Sequence, residues 1–365
     1  MTEAILLVGG KGTRLRPLTT HTPKPLLRVA GVPFLTHQLA RAAEAGVTRL
    51  VLATSYLAEL FEAEYGDGST LGLELVYATE PVPLGTGGAI RNAASLLTCG
   101  PDDPVFVFNG DILSGVDLTA LREAHTRAGA AVTLHLTRVL DPRAFGLVPT
   151  DGDGRVQAFK EKPQTKAEIV TDQINAGCYV FTRSVINSIP VGREVSVERE
   201  TFPGLLDSGA LVRGFVDGSY WLDLGTPQAY VRGSADLVRG LVSSPALPGP
   251  VGEAIVLPGA TVHPQAVLTG GTVVCEGAVV EAGAIVDGSI VLPAARIAER
   301  ARVSGSVVGA NAAVGAGTTL QSTVIGDTAT IGPDNELTAG LRIDCGVRLP
   351  AQAVRASAAP SVLAS

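Results

Sequence analysis

From Val256 onward an apolar residue returns at every sixth position: Val256, Val262, Leu268, Val274, Val280, Val286 and Leu292. The pattern slips by one and resumes at Ile297 and Val303, again at Val308, Val314 and Leu320, and again at Ile325, Ile331, Leu337, Ile343 and Leu349. Small residues and glycines fill the spaces between. A period of six is the sign of a parallel β-helix, in which each short strand stacks on the strand one coil earlier.

The rest of the chain obeys a different rule. A length of 365 residues suggests two domains, and from Ala4 to about Gly240 short apolar runs alternate with amphipathic stretches. That pattern predicts a mostly parallel sheet wrapped by helices, an α/β domain over residues 1–240. Strands are expected at Ala4–Val8, Arg49–Ala53, Leu73–Tyr77 and Val105–Phe108, and helices at Phe34–Ala45 and Ala89–Leu96. Residues 241–253, rich in Pro, Ser and Gly, read as a linker, 254–350 as the β-helix, and 351–365 as a loose Ala/Ser-rich tail. Ligands of open α/β sheets gather at the carboxyl ends of the strands, which is where the loops of interest fall.

A net charge of −7 argues against nucleic acid or an anionic membrane as partner, since either favours a basic surface. There is no charged-then-apolar leader, and no apolar run approaches the roughly 20 residues needed to cross a bilayer, so a soluble cytoplasmic protein is expected. Cys99, Cys178, Cys275 and Cys345 are scattered without metal-type spacing and are expected to be free thiols in a reducing compartment.

The stretch Leu7 to Val29, LVGGKGTRLRPLTTHTPKPLLRV, carries the chemistry. Gly9, Gly10 and Gly12 around Lys11 let the backbone turn tightly and bring bare N–H groups against an anion, while Arg14 and Lys24 supply positive charge, so a polyphosphate is the natural guest. It is not a P-loop, which needs G-x-x-x-x-G-K-[ST], nor a dinucleotide fingerprint, whose third glycine would fall on Leu15. It continues through Thr13, Arg14, Leu15, Pro17 and Leu18 to Pro23-Lys24-Pro25, too long and particular for an ordinary turn.

GGxGTRLxPLT followed by PKPL resembles the signature of the sugar-1-phosphate nucleotidyltransferases, the NDP-sugar pyrophosphorylases. The resemblance implies a Rossmann-like catalytic domain whose loop, with Gly9, Gly10, Gly12 and Thr13, wraps a nucleoside triphosphate, and whose Arg14 and Lys24 contact its phosphates. The period-six repeat likewise resembles the left-handed kind of β-helix, with three hexapeptides to a triangular coil. Glu80 to Gly88 is similar to the family's ExxxLGTxG segment, which implies nucleobase contacts from Glu80, Gly85 and Thr86. A carboxylate only accepts hydrogen bonds and guanine offers adjacent N–H donors, so GTP is the expected nucleotide. In Asn109-Gly110-Asp111 the aspartate matches a Mg²⁺ ligand, and Asp223 in the W-x-D-x-G-x-P segment is the candidate second carboxylate. Mg²⁺ usually takes one or two carboxylates and leaves its other positions to phosphate and water.

Phe159-Lys160-Glu161-Lys162-Pro163 resembles the EKP motif, which implies that Glu161 holds sugar hydroxyls and Lys162 the sugar phosphate. Asn175-Ala176-Gly177-Cys178-Tyr179 resembles NAGxY, with Asn175 on the sugar ring and Gly177 allowing close approach; Gly146 is expected against the sugar too. Ser196 to Pro203 resembles the mannose-specific branch of the family. The implied reaction is GTP with mannose 1-phosphate, the runner-up substrates are glucose 1-phosphate with UTP or dTTP, and the reading from another class is a regulatory subunit that binds NDP-sugar without turnover. Trp221 is expected to be a plain core aromatic. Acyl transfer, known among β-helices of this type, would need a histidine base, and His263 stands alone after the linker, so the β-helix reads as a scaffold for assembly or regulation in a homo-oligomer.

Overall fold

The computed structural model describes residues 2–10, 12–54, 58–80 and 82–355. Lys11, Pro81 and the tail from 356 to 365 lie outside the described residues. By contacts the chain divides into two units, one of Met1–Lys11 with Leu35–Asp223, the other of Gly12–Phe34 with Leu224–Ser365.

The first unit is built on the strand Thr2–Leu7. Its residues Ala4, Ile5 and Leu6 are wholly buried, as expected of a strand covered on both faces, which reads as a continuous apolar run. It pairs in parallel with Val47–Thr54 on one side and with Pro104–Asn109 on the other, so that Leu7 stands opposite both Ala53 and Asn109. Glu74–Thr79 extends the parallel row beyond Val47–Thr54. On the far side Gln173–Thr182 runs antiparallel to Pro104–Asn109, and Val132–Arg138 follows it. The whole is a nine-stranded sheet. Helices Phe34–Glu44, Ala58–Tyr65, Gly85–Ala93 and Leu118–Ala128 connect the strands. Leu118–Ala128 shows how local sequence sets the ends: Asp117 accepts from the Ala120 N–H at 2.9 Å, and Gly129 closes the helix in the left-handed conformation. The helix expected at Ala89–Leu96 starts four residues early, because the Gly87 and Gly88 amides are anchored on the Val195 carbonyl, and it tightens into a 3₁₀ turn at Ala94–Leu96.

In the second unit three parallel sheets, of six, six and five strands, form the three faces of the expected β-helix. The sequence pattern misplaces one inward position. The shortened step falls between Val286 and Val291, so Val291 and not Leu292 stacks in the core column: Val274 pairs with Val291, Val291 with Val308 and Val308 with Ile325, seventeen residues on each time. Val256 with Val274 and Ile325 with Ile343 keep the eighteen residues of three full hexads. The five-residue steps are lined by buried hydroxyls. Ser289, Ser306 and Thr323 are buried at successive shortened corners; the Ser289 Oγ accepts from the Ser306 N–H at 3.0 Å and the Ser306 Oγ from the Thr323 N–H at 2.9 Å, while each hydroxyl donates back to the carbonyl two residues earlier. Val256 holds the expected register but is 46 % exposed, since it belongs to the first coil, with no earlier coil to cover it.

The flanking segments are more ordered than their composition suggests. Within the expected linker Val242 is buried, and the Gly252 N–H bonds the Val238 carbonyl at 2.8 Å. Residues 351–355, expected to be loose, complete the last turn: Val354 donates to Asn335 Oδ1 at 2.8 Å and accepts from the Glu336 N–H. All four cysteines are free thiols. His263 is exposed, with its Nδ1 accepting from the Gln265 N–H in a local turn. No helix among the described residues is long and apolar enough to cross a membrane.

Replacing Ser306 by alanine leaves the buried Thr323 amide without its acceptor. The expected loss is about 1–3 kcal/mol of stability in a denaturant titration that follows the second unit; an unchanged midpoint would remove the hydroxyl ladder from the account of the shortened coils.

Candidate functional site

The carboxyl ends of the parallel strands stop at one level. Beyond them the Val8 N–H bonds the Ala53 carbonyl at 3.0 Å, the Gly110 N–H the Leu7 carbonyl at 2.9 Å and the Glu80 N–H the Thr54 carbonyl at 3.0 Å. Gly9 and Gly10, Glu80, and Asp111 therefore leave the sheet side by side. Gly110 admits no side chain, since a Cβ would lie 2.4 Å from the Leu7 carbonyl oxygen. The Gln38 side-chain amide, from helix Phe34–Glu44, ties down the Asn-Gly-Asp turn by donating to the Asn109 carbonyl at 3.0 Å and the Ile112 carbonyl at 3.3 Å.

After the turn the short strand Ile112–Ser114 pairs antiparallel with Trp221–Asp223, and Asp223 stands directly opposite Ile112. Asp111 and Asp223, far apart in the chain, are thus one residue out of register across a single ladder, and both are half-buried. Arg41 supports this ladder, donating to the Ser114 carbonyl and, at 2.7 Å, to the Val116 carbonyl. Among the described residues no group of three His, Cys, Asp or Glu forms a ready-made metal cage. Two neighbouring carboxylates are the donor set that suits Mg²⁺ completed by phosphate and water.

The sugar-side motifs gather on adjoining strands of the same unit. Glu161 pairs with Gly146, and Leu147 with Ile174, which places Glu161, Gly146 and Asn175 in one row. A Cβ on Gly146 would fall 2.7 Å from Glu161 Oε2 and 2.9 Å from the Phe159 ring. Burial pushes the Glu161 carboxyl above the ordinary carboxylate range; Glu198 adds to the push, while Lys162 and Arg199 oppose it. Lys162 has a positive φ of 47° and an Nζ 3.6 Å from Glu161 Oε1, a backbone conformation sparsely used by non-glycine residues and common at binding sites.

Between Asn175 and Tyr179 the strand bulges out of register. The bulge is held from inside: the Asn175 amide donates to the Tyr179 hydroxyl at 2.8 Å and accepts from the Gly177 N–H at 3.1 Å. Gly177 has φ of 74°, and a Cβ there would meet Asn109 Nδ2 at 2.9 Å. Trp221 is more than core filling. Its indole N–H donates to the Ala176 carbonyl at 3.0 Å, and its ring meets Phe145 edge to face at 5.3 Å, so the strand that carries Asp223 also grips the Asn-Ala-Gly bulge.

The nucleobase motif has a different local explanation. Gly85, Gly87 and Gly88 are packed against residues 193–195, where a Cβ on Gly85 would lie 2.6 Å from the Val195 carbonyl oxygen. The Thr86 hydroxyl is engaged within the protein, donating to Glu198 Oε2 at 2.8 Å and accepting from the Val197 N–H at 3.0 Å. Glu198 also accepts from the Ser196 hydroxyl at 2.8 Å. Glu198 lies within the Ser196–Pro203 segment, but no role is expected of it from the sequence. Glu80 accepts from the Leu84 N–H at 3.2 Å, and burial raises its pKa against that bond.

The remaining loop residues belong to the second unit. Gly12 adopts the left-handed conformation and lies close under Lys24 and Thr19, whose hydroxyl donates to the Gly12 carbonyl at 2.8 Å. A helical turn Thr13–Leu15 follows, with Leu15 buried and Thr13 and Arg14 exposed. The first amides of such a turn have no carbonyl partner within it. Lys24 opens a second turn, Lys24–Leu26, and is half-buried.

Comparison with known proteins agrees with this anatomy. The model of the Nucleotidyl transferase family matches residues 3–240, and that of the GMPPB C-terminal domain matches residues 250–360. The chain is 59 % identical, over 276 residues, to a mannose-1-phosphate guanylyltransferase of Mycobacterium tuberculosis, covering 75 % of each chain. It is 40 % identical to the mannose-1-phosphate guanylyltransferase catalytic subunit beta of Drosophila pseudoobscura pseudoobscura, over 72 % of this chain and 70 % of that one. Among solved structures, HddC from Yersinia pseudotuberculosis complexed with GMP-PN superposes with a TM-score of 0.54 at 28 % identity, covering 64 % of this chain and 98 % of that one.

Two glycines separate steric need from open space. Gly146→Ala drives a methyl into the Glu161 carboxylate and is expected to cost about 1–3 kcal/mol, whereas a Cβ on Gly10 meets no protein atom and Gly10→Ala should stay within about 0.5 kcal/mol. Urea denaturation of both variants checks this; equal effects would refute the assigned packing.

Proposed function

The chain belongs to the nucleotidyl transferase family, and from that premise we propose that it joins GTP to mannose 1-phosphate, forming GDP-mannose and releasing pyrophosphate. The observation that carries the reading is the register of Asp223 against Ile112 beside Asp111, in a chain that resembles guanylyltransferases over three quarters of its length.

A phosphate oxygen of the sugar substrate attacks the α-phosphorus of GTP in line with the departing pyrophosphate, and no covalent enzyme intermediate is required. Both reactants are anions, so their mutual repulsion is the barrier the protein has to lower. Asp111 and Asp223 would hold Mg²⁺, which when bound would supply charge neutralisation at the reacting phosphates. Arg14 and Lys24 compensate the charge of the leaving pyrophosphate, and Lys162 aligns the sugar phosphate beside Glu161. Gly146, Asn175 and the Gly177 bulge shape the sugar subsite. Glu80, an acceptor only, favours the N–H edge of guanine.

The deciding experiment is a matrix of four NTPs against mannose, glucose and galactose 1-phosphates, read by pyrophosphate release from the purified protein. GTP with mannose 1-phosphate is expected to give the highest kcat/KM; a faster uridylyl or thymidylyl reaction would overturn the assignment, and no release with any pair would leave a binding subunit. In the productive pair, Asp111→Asn and Asp223→Asn are each expected to lower kcat by about 10²–10³ with the far-UV spectrum unchanged. Near-normal turnover in either variant would remove that carboxylate from the metal set.

A further inference from the structure

One column of the β-helix breaks its own rule. Ile255, Val273, Ile290, Val307 and Val324 stack in register on successive coils, and each is apolar and buried. They precede the inward residue of their strands and so face out of the coil, where the second unit covers them: helix Pro227–Val238 packs on Thr272–Val274, and Gly31 approaches Leu257. The sixth member, opposite Val324, is Arg342. Arg342 ends the column exposed to solvent, where burial forces no partner on the charge, yet it has one.

The partner is the phosphate loop. Arg342 Nη1 donates to the Arg14 carbonyl at 2.8 Å and to the Arg16 carbonyl at 3.1 Å. Within the loop the carbonyls of Gly12, Thr13, Leu15 and Pro17 accept from the amides of Leu15, Arg16, Leu18 and Thr20, so Arg342 takes the two that alternate with them. Leu15, between the two gripped carbonyls, is buried. The Thr13–Leu15 turn is therefore pinned by its apolar side chain and by the guanidinium together. The other end of the same segment is tied to the β-helix as well, through an Arg28–Glu276 ion pair of 2.6 Å.

We infer that Arg342 is a positioning residue for nucleotide binding: the final, two-stranded coil of the β-helix fixes the backbone from which Arg14 reaches the triphosphate. This rests on the function proposed above. A small misplacement of a binding group is enough to cost an order of magnitude or more, and a cation on two carbonyls is worth more than a neutral contact. The role differs from that of Arg14 itself, since Arg342 acts through the main chain and touches no substrate.

The test compares the full-length protein with Arg342→Ala, Arg342→Lys and Arg348→Ala, the last removing a cation from another face of the same end of the β-helix. The readouts are KM for GTP, KM for mannose 1-phosphate, and amide hydrogen exchange over residues 12–20 without nucleotide. Arg342→Ala is expected to raise KM for GTP about tenfold, to leave KM for mannose 1-phosphate within about twofold, and to speed exchange at Leu15, Arg16 and Leu18; Arg342→Lys should restore part of each change, and Arg348→Ala should match the wild type. Unchanged exchange, an unchanged KM for GTP, or an equal rise in both KM values would overturn the inference while the wild type remained active. A wild type that releases no pyrophosphate would instead fail the underlying assignment, and the positioning role with it.

Discussion

The first unit depends on the strand Thr2–Leu7 being held in parallel register from both sides. With Leu7 opposite Ala53 and Asn109 at once, the chain leaves the sheet at one level after each of several strands. The glycine loop, Glu80 and Asp111 are neighbours for that reason, whatever their separation in sequence. A shift of one residue in either pairing would turn the side chains of a strand to the opposite face and separate the carboxylates from the glycines. The apolar run of Ala4 to Leu6 is buried on both faces of the sheet.

The rim is then assembled by grips between motifs. Trp221 holds the Ala176 carbonyl while its own strand presents Asp223, and Gly177 leaves room for Asn109. Gly146 lies under the Glu161 carboxylate, and Glu198 collects the hydroxyls of Thr86 and Ser196. Each motif is held by a residue from another motif, an arrangement that pre-organises polar groups before any substrate arrives and spares the reaction the reorganisation that water would demand. Burial raises the pKa values of both Glu161 and Glu80, the expected consequence of withdrawing carboxylates from solvent.

The second unit solves another problem. A coil of hexads needs three turns of equal size, yet four of its inward residues, from Val274 to Ile325, are separated by seventeen residues per coil. Buried serine and threonine hydroxyls satisfy the backbone amides at the shorter corner. The same unit contains the signature loop from Gly12 to Phe34, so the domain that reads as a scaffold by composition also shapes the backbone that carries Arg14.

What the sequence determined by itself is the class of structure and of chemistry: apolar runs alternating with amphipathic stretches gave the α/β sheet, the period of six gave the β-helix, and the run of motifs from Gly9 to Asp223 pointed to nucleotidyl transfer. Those signals are local, set by side-chain type and spacing, and they survive without coordinates. Only the tertiary structure decided what each motif residue spends its atoms on. Thr86 faces Glu198, Trp221 bonds a distant carbonyl, Val291 replaces Leu292 in the core column, and Arg342 ends an apolar row and holds two carbonyls of the loop. Such facts depend on strand register and on the closeness of backbones remote in sequence, and no single stretch of residues encodes the distance between itself and another.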